Sequence, residues 1–216
     1  MFIGHNAVGL ASKRAAPRVS LGWLMAAPML LDLIWPLMLL SGVEHMRVER
    51  GNTRFTPLDF YDYPWTHSLL MACVWGVLFA GLYVWRSHDR RAGVVLFLGV
   101  VSHWVLDFVT HRPDLPLWPG GPLAGLGLWN CPAATIVIES LLFAVGIALY
   151  VRATRPRDRI GSLGFASFVV FLALVYIANI ISPPPPNATA VAWAALAEWL
   201  FPFWASWFDA HRELRD

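Results

Sequence analysis

Long apolar runs separated by short polar segments dominate this chain. Six runs of 18–21 residues are apolar enough to form membrane helices: 21–41, 65–85, 92–109, 132–151, 162–182 and 189–208. A helix needs about 20 residues to cross the hydrocarbon core of a bilayer. The pattern therefore predicts an all-α fold, a polytopic transmembrane helix bundle with five to six spanning helices.

The sixth run fits two descriptions. Glu198, Pro202 and several tryptophans lie within it, and these residues also suit a helix that lies in the membrane interface. The first run is unusual in another way, because Pro28 and Pro36 interrupt it on either side of Asp32. Broken helices of this kind often line sites in membrane proteins, although a simple kink with a paired Asp32 is the alternative.

Composition supports the membrane assignment. The chain is 57% hydrophobic and 14% charged, whereas soluble domains carry about 25% charged residues. No basic patch with interleaved aromatic residues occurs, so a nucleic-acid partner is not expected. Membrane lipids are the expected surroundings. Cys73 and Cys131 form no CxxC pair and are expected to be free thiols.

Basic residues predict the orientation. With six crossings, twelve lysines and arginines fall on one side and four on the other, namely Arg47, Arg50, Arg54 and Arg112. The richer side is expected to be cytoplasmic. This places both termini in the cytoplasm of a multi-pass protein of the bacterial inner membrane, and it makes the loops 42–64 and 112–131 external.

A single membrane domain, 1–216, is expected. Its polar motifs fall within 1–120, and 121–216 supplies supporting helices. The most informative motif lies at the end of the third run, where His103, Asp107 and His111 are spaced four residues apart. Consecutive members of such a series lie about 40° apart on one helix face. An ionisable residue in hydrocarbon is costly and is a functional candidate by default.

The topology brings further polar residues to the same depth. His67 opens the second run, Asp32 lies near the middle of the first, and His103 and Asp107 lie toward the outer end of the third. Imidazole and carboxylate suit a divalent ion, zinc or manganese above all, and such a site can activate water. His67, His103 and Asp107 are the predicted ligands, with Asp32 as a ligand or general base. A buried hydrogen-bonded pair or a proton relay is the open alternative.

Several other polar residues receive structural assignments. We expect His111 to cap a helix end, Asp114 to begin a turn, and Glu139, Asn179 and Glu198 to form interhelical hydrogen bonds. We expect His45, His88 and His211 to be solvated. The twelve tryptophans cluster near the ends of the runs, which is typical of interfacial anchors.

Four segments together resemble a known family. They are Gly4-His5-Asn6-Ala7-Val8-Gly9, Leu31-Asp32-Leu33, Tyr63-Pro64-Trp65-Thr66-His67-Ser68 and Ser102-His103-Trp104-Val105-Leu106-Asp107, followed by Pro116-Leu117-Trp118-Pro119. In this order they resemble the bacterial inner-membrane family known as membrane-bound metal-dependent hydrolases, over residues 1–120. The resemblance implies that His5 joins His67, His103 and Asp107 as a metal ligand, beside Asp32. The family commonly has Pro-Asp-x-Asp where this chain has Leu31-Asp32-Leu33-Ile34, so a two-metal site is not expected.

His5 conflicts with the simplest topology. If the first run spans the membrane from a cytoplasmic N-terminus, His5 lies away from the other ligands. A re-entrant hairpin over residues 1–41 would bring it back, with Lys13, Arg14 and Arg18 outside or at the turn. The sequence leaves both arrangements open.

Three functions fit these patterns. The leading one is a membrane-embedded, metal-dependent hydrolase that acts on a lipid-linked or amphipathic substrate in the outer half of the inner membrane, with Asp32 as the catalytic base. The alternative is a permease or transporter that uses intramembrane Asp and His as a proton or ion relay. A third is a non-enzymatic partner protein in which the polar residues only hold helices together.

Overall fold

The computed structural model describes residues 1–215, which are mainly helical. In chain order the helices are α1 (Ile3–Ser12), α2 (Leu21–Leu40), α3 (Pro64–His67), α4 (Leu69–Ser87), α5 (Arg90–Thr110), α6 (Pro132–Ala153), α7 (Arg159–Ile181), α8 (Ala188–Leu196) and α9 (Leu200–Asp209). Five of them, α2, α4, α5, α6 and α7, are long and apolar enough to cross a membrane. The predicted all-α transmembrane bundle is confirmed.

Three antiparallel pairs of short strands lie outside the long helices. They pair β1 (His45–Val48) with β2 (Leu58–Asp62), β3 (Leu115–Pro116) with β4 (Leu123–Ala124), and β5 (Thr154–Pro156) with β6 (Arg212–Leu214). The first two lie in the loops that were predicted to be external. The third joins the α6–α7 connection to the C-terminal segment.

Polar N-caps set where the long helices begin. Ser68, Asp89 and Asp158 each accept a hydrogen bond from a backbone N–H in the first turn of α4, α5 and α7, which satisfies one of the free donors there. The bond from the Gly161 N–H and the contact with His211 hold the pKa of the Asp158 carboxyl below its usual value. The long helix of the second run therefore begins at Leu69, and the run's first three residues, 65–67, belong to the separate short helix α3.

The sixth run forms a broken helix beside α2. A 3₁₀ turn at Ala197–Trp199 divides it into α8 and α9. Pro202 and Ser206 lie so close to Gly22, near the start of α2, that a Cβ there would overlap them. The Trp199 indole donates to the carbonyl of Leu33, farther along α2. The segment therefore runs antiparallel to α2 along its length, as a crossing segment would.

Helix α1 penetrates only part of the bundle, and this resolves the position of His5. The backbone of Ala7 lies so close to Gly146 of α6 that no side chain would fit there. Glu139, also on α6, accepts hydrogen bonds from the N–H groups of Phe2 and Gly4 at 3.0 and 3.4 Å. The start of α1 is thus held inside the bundle, with Met1 only 7% exposed.

The turn after α1 lies at the end of the bundle that is rich in arginine. Lys13 forms a buried ion pair with Asp209 of α9, at 2.6 Å, near the paired strands β5 and β6, which carry Arg155 and Arg212. The structure therefore differs from both predicted arrangements: α2 spans, His5 still reaches the interior, and the basic turn stays with the other basic residues. Met1 lies within the bundle, while the assignment of the arginine-rich end and of both termini to the cytoplasm stays a prediction.

Candidate metal centre

Four helices bring the predicted ligands together. The Nε2 atoms of His67 and His103 lie 3.3 Å apart. Asp32 Oδ1 lies 3.3 Å from the first and 3.7 Å from the second. Asp107 Oδ2 lies 3.1 Å from His103 Nε2, on the same helix. All five predicted site residues are in this cluster, because His5 Nε2 lies 3.1 Å from Asp107 Oδ1.

These spacings fit a bound divalent ion. Ligands at about 2.0–2.2 Å from a tetrahedral ion lie roughly 3.3–3.6 Å from one another. Two overlapping groups have their ligand atoms within 4.8 Å of each other: His5, His103 and Asp107, and Asp32, His67 and His103. His103 belongs to both groups, so one ion beside its Nε2 atom can reach ligands from either group.

The backbone of α2 sets the tautomer of His103. The Nδ1–H group donates to the carbonyl oxygen of Pro28 at 2.7 Å, which leaves Nε2 with a free lone pair toward the cluster. One turn earlier, Gly99 allows this contact, because a Cβ there would lie 2.9 Å from Ala27 Cβ. The close approach of α5 to α2 therefore both places and orients the ligand.

The buried carboxylate of Glu44 orients His67 through the hydroxyl group of Thr66. The Nδ1–H of His67 donates to Thr66 Oγ1 at 2.7 Å, and the Thr66 hydroxyl donates to Glu44 Oε2 at 2.6 Å. Glu44 Oε1 also accepts from the N–H groups of Trp65 and Thr66. Glu44 is fully buried, and sequence reasoning missed it among the mixed charges of the external loop. No motif or spacing in the sequence around residue 44 indicates this role.

The substitution Thr66→Val tests this relay. It keeps the shape of the side chain but removes the hydroxyl that fixes the tautomer of His67. We expect metal affinity to fall about 10–100-fold, the usual effect of losing such an outer partner. Competition with a chelating dye measures it. Thr135→Val is the control, since its buried hydroxyl contacts only backbone carbonyls of Leu128 and Cys131. Equal affinities in the two variants would contradict the relay.

His5 and Asp107 close the cluster on the α1 side. The ring of His5 stacks on that of His103, with centroids 3.8 Å apart and planes 2° apart. Asp107 is nearly fully buried, and its Oδ1 also contacts the Met1 amino group at 2.6 Å. Asp32 differs, because 31% of its side chain is exposed to the adjacent cavity. Asp107 is therefore the enclosed carboxylate and Asp32 the accessible one.

His111 lies at the edge of the cluster and is buried. Its Nδ1–H donates to Asp114 Oδ1 at 3.0 Å, and its Nε2 lies 3.8 Å from Asp107 Oδ2. Tyr63 also donates to Asp114, and burial together with this carboxylate raises the pKa of the Tyr63 hydroxyl well above its usual value. Asp114 was predicted to do no more than begin a turn, and that is wrong: it orients His111.

Some of the remaining side-chain predictions are confirmed and one is partly wrong. Glu139 bonds between helices as predicted, at the start of α1. His45 and His88 are exposed, and His211 is on the surface beside Asp158. Cys73 and Cys131 are free. The prediction that all tryptophans are interfacial anchors is wrong for Trp35, Trp104 and Trp129, which are only 4%, 8% and 8% exposed.

A cavity of about 580 Å³ extends from the cluster. Asp32, His67, Asp107 and His111 line it beside the cluster, and apolar side chains of the β1–β2 hairpin, α7, α8 and α9 line much of the rest. Helix α7 packs on α9 through aromatic contacts such as Phe168 with Trp204, but it has hardly any contact with α8. The cavity therefore extends into the gap between α7 and α8, at the same end of the bundle as the β1–β2 hairpin.

The chain belongs to the family described as YdjM inner membrane protein. The family's pattern matches residues 2–183, which covers α1 to α7 and every residue of the cluster. No curated protein and no solved structure matches the chain. With five membrane-spanning helices, family membership confirms a multi-pass protein of the bacterial inner membrane.

Proposed function

We propose that this protein is a metal-dependent hydrolase that acts on a lipid-linked or amphipathic substrate in the outer half of the inner membrane. The observation that carries the proposal is the meeting of His67 Nε2 and His103 Nε2, 3.3 Å apart, with a carboxylate on each side. Both imidazoles have their other nitrogen engaged, by Thr66 and by Pro28. Such pre-orientation is typical of metal ligands.

The residues divide into ligands and a base. His67, His103 and Asp107 would hold a divalent ion, zinc or manganese, with His5 as a further ligand. The ion would supply a Lewis acid that polarises an acyl or phosphoryl oxygen and lowers the pKa of water. Asp32 is the accessible carboxylate of the cluster, so it is the group that can take a proton from a water molecule arriving through the cavity.

The shape of the cavity supports an amphipathic substrate. Ligand sites are mostly apolar clefts with a few converging polar groups, and this cavity has that form, with the cluster beside it. It lies between membrane helices, so an acyl chain can remain in apolar surroundings while the polar part of the molecule reaches Asp32 and His67.

Metal content tests the proposal directly. We expect purified wild-type protein to contain about one zinc or manganese ion per chain, since one ion satisfies the cluster. We expect the double variant His103→Ala, Asp107→Ala to contain none, by mass spectrometry of the metals. The matched control is His45→Ala, Asp62→Ala, which removes a similar His–Asp contact of 2.8 Å on the exposed hairpin.

The control is expected to retain the ion. Equal metal in the wild type and the His103→Ala, Asp107→Ala variant would overturn the proposal. A relay of protons or ions would then become the leading explanation of the same side chains, and flux into liposomes would be the measurement to make.

A further inference from the structure

Three buried hydrogen-bond donors in the cavity wall have no partner within the part of the chain that the structure describes. They are the indole nitrogens of Trp35 and Trp129 and the hydroxyl of Tyr176, in side chains that are 4%, 8% and 5% exposed. All three residues line the cavity that extends from the metal cluster. Buried donors without a partner are rare in proteins and call for an explanation, and a ligand that accepts their hydrogen bonds supplies one.

Two of these donors flank the cluster. Trp35 lies three residues after Asp32, on the same face of α2. The ring of Trp129 packs on His111, with centroids 4.2 Å apart. Phe60 of the β1–β2 hairpin lies between the two tryptophans, with ring centroids 5.4 and 6.5 Å from theirs. A group that reaches Asp32 therefore passes within reach of uncharged N–H donors.

The charges of the cavity wall are the second observation. Four carboxylates line it, Asp32, Asp107, Glu139 and Glu198, and no lysine or arginine does. The amino group of Met1, which also lies in the wall, is already paired with Asp107. Glu198 Oε2 has no hydrogen-bond partner. Sites for phosphate groups supply arginine or lysine side chains or metal ions, and of these only the ion of the cluster would be available in this wall.

We propose that the substrate is an uncharged lipid and that the bond broken is a carboxylic ester. The proposal rests on the hydrolase function proposed above and chooses the acyl over the phosphoryl reaction. Neutral indole and phenol donors match the uncharged carbonyl and hydroxyl oxygens of such a lipid. With a divalent ion in the cluster, the carboxylates of Asp32 and Asp107 balance its two charges. A phosphate dianion would then meet the further carboxylates Glu139 and Glu198 without an excess of positive charge. Desolvated charges of like sign are strongly unfavourable in surroundings of low dielectric constant.

The reaction is a balanced hydrolysis. The oxygen of a water molecule bonds to the acyl carbon as Asp32 accepts its proton, and the bond between that carbon and the ester oxygen breaks. The departing oxygen takes this proton from Asp32, so the products are a carboxylic acid and an alcohol and Asp32 is again a carboxylate. The apolar wall formed by residues such as Phe171, Val175, Val191 and Ala194 of α7 and α8 accommodates the acyl chain.

A pair of matched lipids tests this choice. Diolein and dioleoyl phosphatidate, each in micelles of an uncharged detergent, carry the same acyl chains and differ in the phosphate group. With metal-loaded protein we expect oleate release from diolein at least tenfold faster than from phosphatidate, and no release of inorganic phosphate. Failure to release oleate from diolein, or release of phosphate from phosphatidate, overturns the ester assignment.

The same experiment separates this inference from the proposed function. Phosphate release by a protein that holds its ion would leave a metal-dependent hydrolase in place and reject only the ester. If the wild type hydrolyses neither lipid, and the His103→Ala, Asp107→Ala variant contains as much metal as the wild type, both proposals are rejected.

Two conservative variants test the donors. Trp35→Phe and Trp129→Phe keep an aromatic ring and lose the N–H group. We expect the pair together to raise KM for diolein about tenfold, with kcat changed less and metal content unchanged. Trp85→Phe is the control, since Trp85 is 76% exposed at the end of α4. An unchanged KM in the double variant contradicts recognition by these donors.

Discussion

Asp32→Asn is expected to reduce turnover about 100- to 10,000-fold, the range in which a general base contributes to catalysis. An amide keeps the size of the side chain but cannot accept a proton from water. Asp32 is the carboxylate of the cluster that opens to the cavity, and its Oδ1 lies within 3.7 Å of both imidazole nitrogens. The measurement is kcat on whichever of the two lipids the wild type hydrolyses, together with the metal content of the same sample.

Metal content decides what role Asp32 has. We expect Asp32→Asn to retain its ion, because His67, His103 and Asp107 remain. Loss of the ion would make Asp32 a ligand and overturn its assignment as the base. Asp62→Asn, on the exposed hairpin, is the matched control and should have wild-type turnover. Retention of more than a tenth of the wild-type kcat by Asp32→Asn would also contradict the assignment.

Sequence alone predicted the spanning helices and most of the cluster. Hydropathy predicts spans because a helix that crosses hydrocarbon must satisfy its backbone internally and be apolar for about 20 residues. The same cost makes Asp32, His103 and Asp107 conspicuous, since charged residues at that depth are rare. Their convergence followed from depth and direction, and the structure places each of them in one of two groups that could hold an ion and that share His103.

The parts that sequence could not predict depend on contacts between distant segments. Glu44 orients His67 only because the residue that precedes β1 comes into contact with Thr66 of α3. Helix α1 enters the bundle because Glu139, 135 residues after Gly4, accepts its first N–H groups. Neither contact has a local periodicity, so amphipathic patterns carry no sign of them.

The position of His5 shows how such a contact changes a topological argument. Charge counting treats a segment as crossing or not crossing. A helix of ten residues such as α1 extends about 15 Å, which is half the hydrocarbon thickness. It can therefore bring His5 to the cluster while Lys13 stays at the arginine-rich end, a combination that neither sequence-based arrangement included.

Asp209→Ala is expected to lower the free energy of unfolding by about 3–5 kcal/mol, because it leaves a buried cation without its partner. Asp209 Oδ2 accepts from Lys13 Nζ at 2.6 Å and from the N–H of Leu21 at 3.0 Å, and Oδ1 accepts from the Tyr150 hydroxyl at 2.8 Å. One carboxylate thus joins α9, α6 and the turn between α1 and α2. Unfolding of purified protein by a denaturing detergent measures the change.

Two further variants separate the lost charge from lost packing. Glu213→Ala removes the exposed pair with Arg155, 2.7 Å apart, and should cost no more than about 1 kcal/mol. The double variant Lys13→Met, Asp209→Leu replaces both charges by apolar groups and should recover most of the stability lost in Asp209→Ala, since exchanging a whole buried pair is often neutral. Because this turn anchors α1, Asp209→Ala should also weaken metal retention through His5, whereas Glu213→Ala should not. A double variant as unstable as Asp209→Ala would show that packing, and not an unpaired Lys13, causes the loss.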